Sequence, residues 1–579
     1  MTTIENTTKK LKGISLLWNI PAMLVMSGVL ISCFHINLFY YSYDTPKWFI
    51  FETVTFAIII SYFFRSPPKN ISFNFIGLTA LLLVYYMGIS LLWAANKAVG
   101  IAFILHFINA ILLIYVLIKT YDSKKMITIL LNTCFYSALA FCILFYFERY
   151  VLGHTNYNVG NYSPIGFMNN AGAVFNIWIP VLVLFIVKQY KAKNKILLTL
   201  SIITTLLIVS ILMEAGTRGT IIGLSLCELI VFAITFRKNK KMAFIYLAVT
   251  TLLLSGMVTY KLFDALQDGR LHGRMLALST NIADSTGARI QQLTNTWEMT
   301  LDNPMGVGVN NFEFTHPKYG KPGTKNASPY VNERQILVSP HNLLLKIYSE
   351  LGVIFGSIFA LIIIYLFISA LINAIKGGYI DKWLFVGLGA TFFHSMVSAV
   401  IITPVSLFFS SILMAVIIKR STELNILTCI NLIFRKNTLK IPFTIKIIYL
   451  ITPIFYCGII TSDYLAHNGI INRDLKKIKQ AVNINPYNSR ALYRLSFYEL
   501  GANHNTEQSL AYIDQFLNGY PYHIAGLLIK AERHFQLKEY RLAENTINKL
   551  VAFYPSFKKA QRLKKQILLK KNLNLHIRS

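Results

Sequence analysis

Apolar residues in this chain are gathered into long runs, and a helix that crosses a bilayer needs about 20 of them. Such runs fall near 16–38, 47–64, 73–93, 99–118, 126–147, 171–187, 195–213, 219–236, 242–262, 343–373, 383–402, 404–418 and 442–461. The run at 404–418 is short and opens on Pro404, which fits a tight re-entry after residue 402. Between the runs the charge alternates. Lys9, Lys10 and Lys12 precede the first run, Arg65 and Lys69 follow the second, and Lys119, Lys124 and Lys125 follow the fourth. Lys188, Lys191, Lys193 and Lys195 follow the sixth, and Arg237, Lys238, Lys240 and Lys241 the eighth. Lys376 and Lys382 follow the tenth, and Lys419, Arg420, Arg435, Lys436 and Lys440 the twelfth. The short odd-numbered loops hold few charges, such as Lys47 and Lys97. By the positive-inside rule the N-terminus is cytoplasmic, and the segment 264–341 and everything from 462 onward lie outside the cytoplasm.

The expected fold is all-α: a polytopic transmembrane bundle of about 12–13 helices with one large outer loop and a helical tail. Residues 1–420 form the membrane domain with its loop at 264–341, 421–461 a cytoplasmic linker plus one more spanning helix, and 462–579 the tail. Composition agrees, since only 14% of the 579 residues are charged against about 25% in soluble proteins. The net charge of +31 comes largely from lysines and arginines beside apolar runs, where they act as topology signals, and no RNA- or DNA-binding motif accompanies it. All six cysteines lie in or beside apolar runs without metal-ligand spacing, so neither the loop nor the tail calls for a disulfide. The first run is long enough to span, lacks a small-residue cleavage site, and reads as a retained anchor.

The tail is periodic. Asn485-Pro486, Tyr520-Pro521 and Tyr554-Pro555 place prolines 35 and then 34 residues apart, the period of tetratricopeptide helix pairs. Ala543, in the stretch Leu537–Glu544, occupies the small-residue position where such helices approach.

Three features in outer segments can carry chemistry. At Ser339-Pro340-His341-Asn342, serine suits an N-cap and proline the first helical position. That puts His341 and Asn342 in a first helical turn at the membrane surface, where the helix dipole disfavours imidazolium. A neutral imidazole accepts a proton from a hydroxyl nucleophile; the plainer reading is a water-satisfied interfacial residue. Glu214-Ala215-Gly216-Thr217-Arg218-Gly219-Thr220 is a tight turn holding a guanidinium at the bilayer edge, suited to a diphosphate or lipid headgroup, or else paired with Glu214. Inside the loop, residues 287–300 read as an amphipathic helix with Ile290, Leu293, Thr294 and Trp297 on one face and Arg289 at its start. Pro304-x-Gly306-x-Gly308 follows as a turn. His272 and His316 lack charged partners at useful spacing and read as surface residues. There is no DxD, HExxH, GxSxG or P-loop. Charges inside the spans are sparse, with Glu52, Glu228 and His394 as exceptions, which counts against a proton-coupled transporter.

Gly216-Thr217-Arg218-Gly219, Arg289 with Trp297, Asn303-Pro304-x-Gly306-x-Gly308 and Pro340-His341-Asn342-x-x-Leu345, in that order and sidedness, resemble the O-antigen ligase and polymerase superfamily. Gly166-Phe167-Met168-Asn169-Asn170 is similar to that family's glycine–asparagine motif. The resemblance covers roughly residues 15–420, and the fused tail resembles variants that include bacterial protein O-oligosaccharyltransferases. It implies an inner-membrane enzyme that transfers a preassembled glycan from undecaprenyl diphosphate to a hydroxyl, with inversion and without a metal ion or cofactor. Arg218, Arg289 and His341 would be its catalytic residues, and Asn170, Gly306, Gly308 and Asn342 would bind substrate. The implied partners are the lipid-linked glycan, membrane lipids, and lipid A core or an acceptor protein, with a protein partner for the tail. A polymerase of the same superfamily and a non-catalytic membrane-anchored scaffold are the alternatives.

Overall fold

The computed structural model describes residues 19–65, 71–73, 75–154, 162–241, 243–251, 255, 287, 289–328, 331–332, 336–424, 437–439, 443–501 and 503–578. Most of the 242–262 run, His272, Ser285, Thr286, Ala288 and Cys429 lie outside the described residues.

The chain is a multi-pass helical bundle. Eight described helices are long and apolar enough to cross a membrane, and Ile20–Cys33 and Gly77–Ser90 are shorter apolar helices. The short 404–418 run becomes a full helix, Pro404–Glu423, with proline in its first turn, where the missing N–H costs nothing. The 383–402 run instead breaks: Tyr379–Ser395 ends in a turn and a 3-10 segment, Val400–Ile402. The centre of the bundle is the helix Met168–Lys191, whose Phe175, Trp178 and Phe185 are fully buried.

Loops segregate by parity to opposite ends. At the basic end, Ser123 donates to Glu423 at 2.6 Å and Lys419 to the carbonyl of Ile118 at 3.1 Å. Arg420 forks onto Asp381 at 2.9 and 2.7 Å. A short antiparallel ladder, Ile71–Phe73 with Asn437–Leu439, closes that end. At the other end the large loop and the tail share one apolar core, in which Phe312, Phe314 and Tyr319 meet Ile513, Phe516 and Tyr520. The rings of Phe314 and Tyr520 stand 4.6 Å apart, and the Tyr520 hydroxyl donates to the Glu313 carbonyl at 3.1 Å.

The tail is a run of short antiparallel helices, Leu475–Ile484, Ser489–Gly501, Thr506–Gly519, Ile524–Gln536, Tyr540–Phe553 and Lys558–Arg578. Each recurrent proline sits in the turn before one of them, and Ala543 is fully buried at a helix contact. The last bundle helix, Phe443–Ile471, runs ten residues past the expected end of its span, directly into the tail.

The tenth run is two helices. Gly352 has φ +76°, a left-handed conformation that interrupts Leu343–Lys376. A β-carbon on Gly352 would meet the backbone at Met305 C (2.6 Å) and Gly306 N (2.8 Å), so only glycine fits. The backbone groups freed by the break are taken up by the Pro-x-Gly-x-Gly segment: Val307 N–H donates to Ser349 O at 2.9 Å, Gly308 N–H to Glu350 O at 3.0 Å, and Val353 N–H to Pro304 O at 3.0 Å. The motif is thus the wedge that breaks the helix.

Candidate active site

The short helix ahead of Gly352 carries Asn342 and His341 at its start. Serine and proline do not cap it. Asn342 is the N-cap, its Oδ1 accepting from Leu345 N–H at 2.9 Å, because asparagine caps as well as serine and sits nearer the buried Leu343. His341 is therefore outside the helix, at φ +52°, a conformation costing a non-glycine residue about 1 kcal/mol. Ser339 Oγ accepts the His341 N–H at 3.3 Å, and Asn342 Nδ2 donates to the Met396 carbonyl at 2.8 Å. Farther along, Lys346 and Glu350 form a buried ion pair at 2.5 Å that also holds Asn310 and the Phe312 N–H.

Met396 belongs to the turn after Tyr379–Ser395, and that turn is the hub. His394 packs on Gly219: a β-carbon there would lie 2.8 Å from His394 Nε2 and 3.0 Å from Val397 Cγ2. Asn176 Nδ2 lies 3.3 Å from His394 Nδ1 and 3.4 Å from the Ala390 carbonyl. The carbonyl makes the amide nitrogen the donor, so Nδ1 accepts and the ring proton is assigned to Nε2, on the Gly219 side. Thr220 Oγ1 stands 3.2 Å from the same Nδ1. A β-carbon on Gly172 would lie 3.1 Å from Thr217 Oγ1, which places the start of Met168–Lys191 beside the start of Arg218–Phe236. Asn170, half-buried, is two residues before Gly172. Neither helix has a side-chain cap, so their first N–H groups are open to an anion.

Arg218 is exposed at the first position of its helix. The expected alternative partner, Glu214, is taken by Arg149, whose two terminal nitrogens each lie 2.6 Å from a carboxylate oxygen. Among the described residues Arg218 has no ion pair. Arg289, also exposed, stands within electrostatic reach of both His341 and His394. Gln292, one turn further on, donates to the Ser339 carbonyl at 2.8 Å and ties this helix to the His341 segment. Burial first, and the Arg289 guanidinium second, push the His341 imidazole below its ordinary value. Sequence reasoning assigned that neutrality to the helix dipole.

Arg218, Arg289, His341, Asn342 and Asn170 are thus gathered around the His394 turn. Gly306 and Gly308 stand apart from it. Gly306 would drive a β-carbon into the Glu350 carbonyl group, and Gly308 into Ala94; both pack backbone on backbone. Two further histidines differ from expectation. His316 is fully buried, stacked on Phe312 at 4.7 Å with its Nε2 3.4 Å from Ser328 Oγ, because the loop folds over it. His394, visible in the sequence only as an ionisable residue in an apolar run, sits at the centre of the cluster. Among the described residues no group of three His, Cys, Asp or Glu is arranged to hold a metal ion.

The arrangement offers two exposed guanidiniums, without ion pairs among the described residues, and two helix N-termini without a side-chain cap for an anion, beside an imidazole of lowered pKa that can receive a proton. Residues 203–360, which contain Arg218, Arg289 and His341, match the family model described as O-antigen ligase. No curated protein matches the chain.

Proposed function

With an O-antigen ligase domain at residues 203–360 making the chain a glycosyltransferase-type enzyme, we propose that it transfers a glycan from a polyprenyl-diphosphate carrier to an acceptor hydroxyl. The observation that carries this reading is that Arg289 lies within electrostatic reach of His341, whose neighbour Asn342 is bonded to the turn that packs against Gly219, with Arg218 next to Gly219 and the carboxylate of Glu214 engaged by Arg149. The acceptor oxygen attacks the anomeric carbon as the bond from that carbon to the diphosphate oxygen breaks on the opposite face. The hydroxyl proton passes to His341. The departing diphosphate is held by Arg218, Arg289 and the open helix N-termini, donors aimed where negative charge grows. Donors of this kind suit a departing phosphate ester without a metal ion. Asn170 and Asn342 border the site and His394 positions the Gly219 turn.

On this reading the loop and tail lie at the extracytoplasmic face of a bacterial inner membrane, supported by the lysines and arginines that follow every even-numbered apolar run. The tail is read as tetratricopeptide-like, supported by its proline period and its antiparallel helices, and repeat arrays of that kind present a surface to polypeptides. The acceptor is accordingly a protein Ser or Thr or a lipid A core hydroxyl, in preference to a growing polysaccharide.

The test is reconstitution with a lipid-diphosphate glycan, offering peptide and lipid A core acceptors separately. Transfer by the native chain and its loss in His341→Ala and Arg218→Ala, with both variants accumulating normally in the membrane, is the expected result. Normal transfer by both variants would refute the reading.

A further inference from the structure

The helix over 289–302 buries more polar than apolar side chains. Around one apolar anchor, Met299, its inward face buries four polar side chains, Gln292, Asn295, Thr296 and Thr300. They are satisfied from within the loop, with Asn295 Nδ2 donating to Asn326 O and to Ser328 Oγ at 3.0 Å each. Its outward face carries Ile290 59%, Trp297 45% and Leu301 58% exposed, with Thr294 exposed between the first two and Arg289 and Asp302 exposed at the two ends. The three apolar residues recur at seven- and four-residue spacing, a stripe about 16 Å long.

The stripe does not end in water. Two residues past the helix, Pro304 O accepts from Val353 N–H at 3.0 Å, so Met305, 60% exposed, adjoins Ile354, 71% exposed. From there the outward side of the spanning helix continues through Leu361, Ile364 and Ile368, all exposed. The loop stripe is therefore the upper margin of the surface that the bundle turns toward lipid. Arg289 begins it and Trp297 sits at its middle, the pairing of cation and indole found where a helix lies at a bilayer boundary.

We propose that helix 289–302 is an interfacial helix that lies in the leaflet at the loop end, with Ile290, Trp297 and Leu301 among the acyl chains. Through Gln292 and the Ser339 carbonyl, the bilayer then sets the height of His341 and Arg289. This holds whatever reaction the site performs. A water-exposed face, or one covered by a second copy or a soluble partner, is the contrary case.

The full chain is reconstituted in vesicles of ordinary lipid, and in vesicles of lipid brominated near the headgroup end of the acyl chains. Tryptophan emission is compared between the native protein and Trp297→Phe. The component lost in the variant is expected to be quenched by bromolipid and spared by iodide. A component untouched by bromolipid overturns the proposal, whether iodide quenches it (water) or nothing does (a protein cover). A nitroxide at Leu301→Cys gives an independent reading, with greater access to oxygen than to a water-soluble nickel complex expected and the reverse fatal.

Discussion

The imidazole of His394 rests on the bare Cα of Gly219, close enough that a β-carbon there would lie 2.8 Å from Nε2 and nearer still to Cδ2. The ring cannot yield freely, because Asn176 and Thr220 hold its other edge. Gly219→Ala is therefore expected to shift His394 and the turn that carries Met396, to which Asn342 is bonded. A misplacement of about 1 Å in an active site costs up to about 100-fold in rate. Turnover at saturating donor should fall by roughly 10- to 100-fold, with membrane accumulation unchanged. Native turnover in Gly219→Ala would show that the contact has no bearing on the reaction.

The acid limb of the pH–rate profile should report His341. Burial and the Arg289 charge both lower its pKa, so the limb of kcat/KM lies below the free imidazole value of about 6.5. Arg289→Gln removes the second cause and leaves the first. The limb should move upward in pH yet remain below that value, whereas Arg289→Lys keeps a charge and moves it less. A limb that stays put, or moves down, in Arg289→Gln would separate the two residues.

How much of this was visible in the sequence depends on which property decides each feature. The multi-pass bundle was legible because long apolar runs report spanning helices directly, and the turns of the tail because each recurrent proline precedes a helix. The segment matched as O-antigen ligase was legible through the order of its motifs around Arg218, Arg289 and His341, while each residue alone has plainer readings at a membrane surface. Their local geometry was not. Ser339 and Asn342 are equally good caps, and only the packing of Leu343 chooses between them. Gly352 was hidden because glycine is common in membrane helices, and its break shows only beside the Pro304–Gly308 segment. The stripe Ile290–Trp297 was found in correct phase, but period alone fixes a face and not what the face meets. His316 reads as a surface residue until the loop's own Phe312 and Ser328 close over it.

The wedge at Gly352 should be intolerant of any side chain. Its φ of +76° would cost another residue about 1–3 kcal/mol, before the clash with Met305 and Gly306 is counted. Gly306→Ala meets the same contact from the other side. Each variant should lower the thermal midpoint in detergent by several degrees. The double variant should lose less than the sum, since one contact is broken twice. Full additivity would mean the two glycines serve separate features.

The large loop should loosen in acid because of His316. Burial pushes this imidazole down to about 3, and its Nδ1 has no hydrogen-bond partner among the described residues, so the folded state holds it neutral. In the unfolded chain it titrates near 6.5. Between those values unfolding takes up a proton, so the contribution is fully present above about pH 6.5 and is lost as pH falls through about 3. The whole effect is on the order of 5 kcal/mol. His316→Phe keeps the stack on Phe312 and removes the titration, so its loop core should hold through that range better than the native one. Hydrogen exchange across the helix Phe312–Tyr319, followed from neutral pH downward, measures this. If native and variant cores open in parallel as pH falls, another group drives the acid transition.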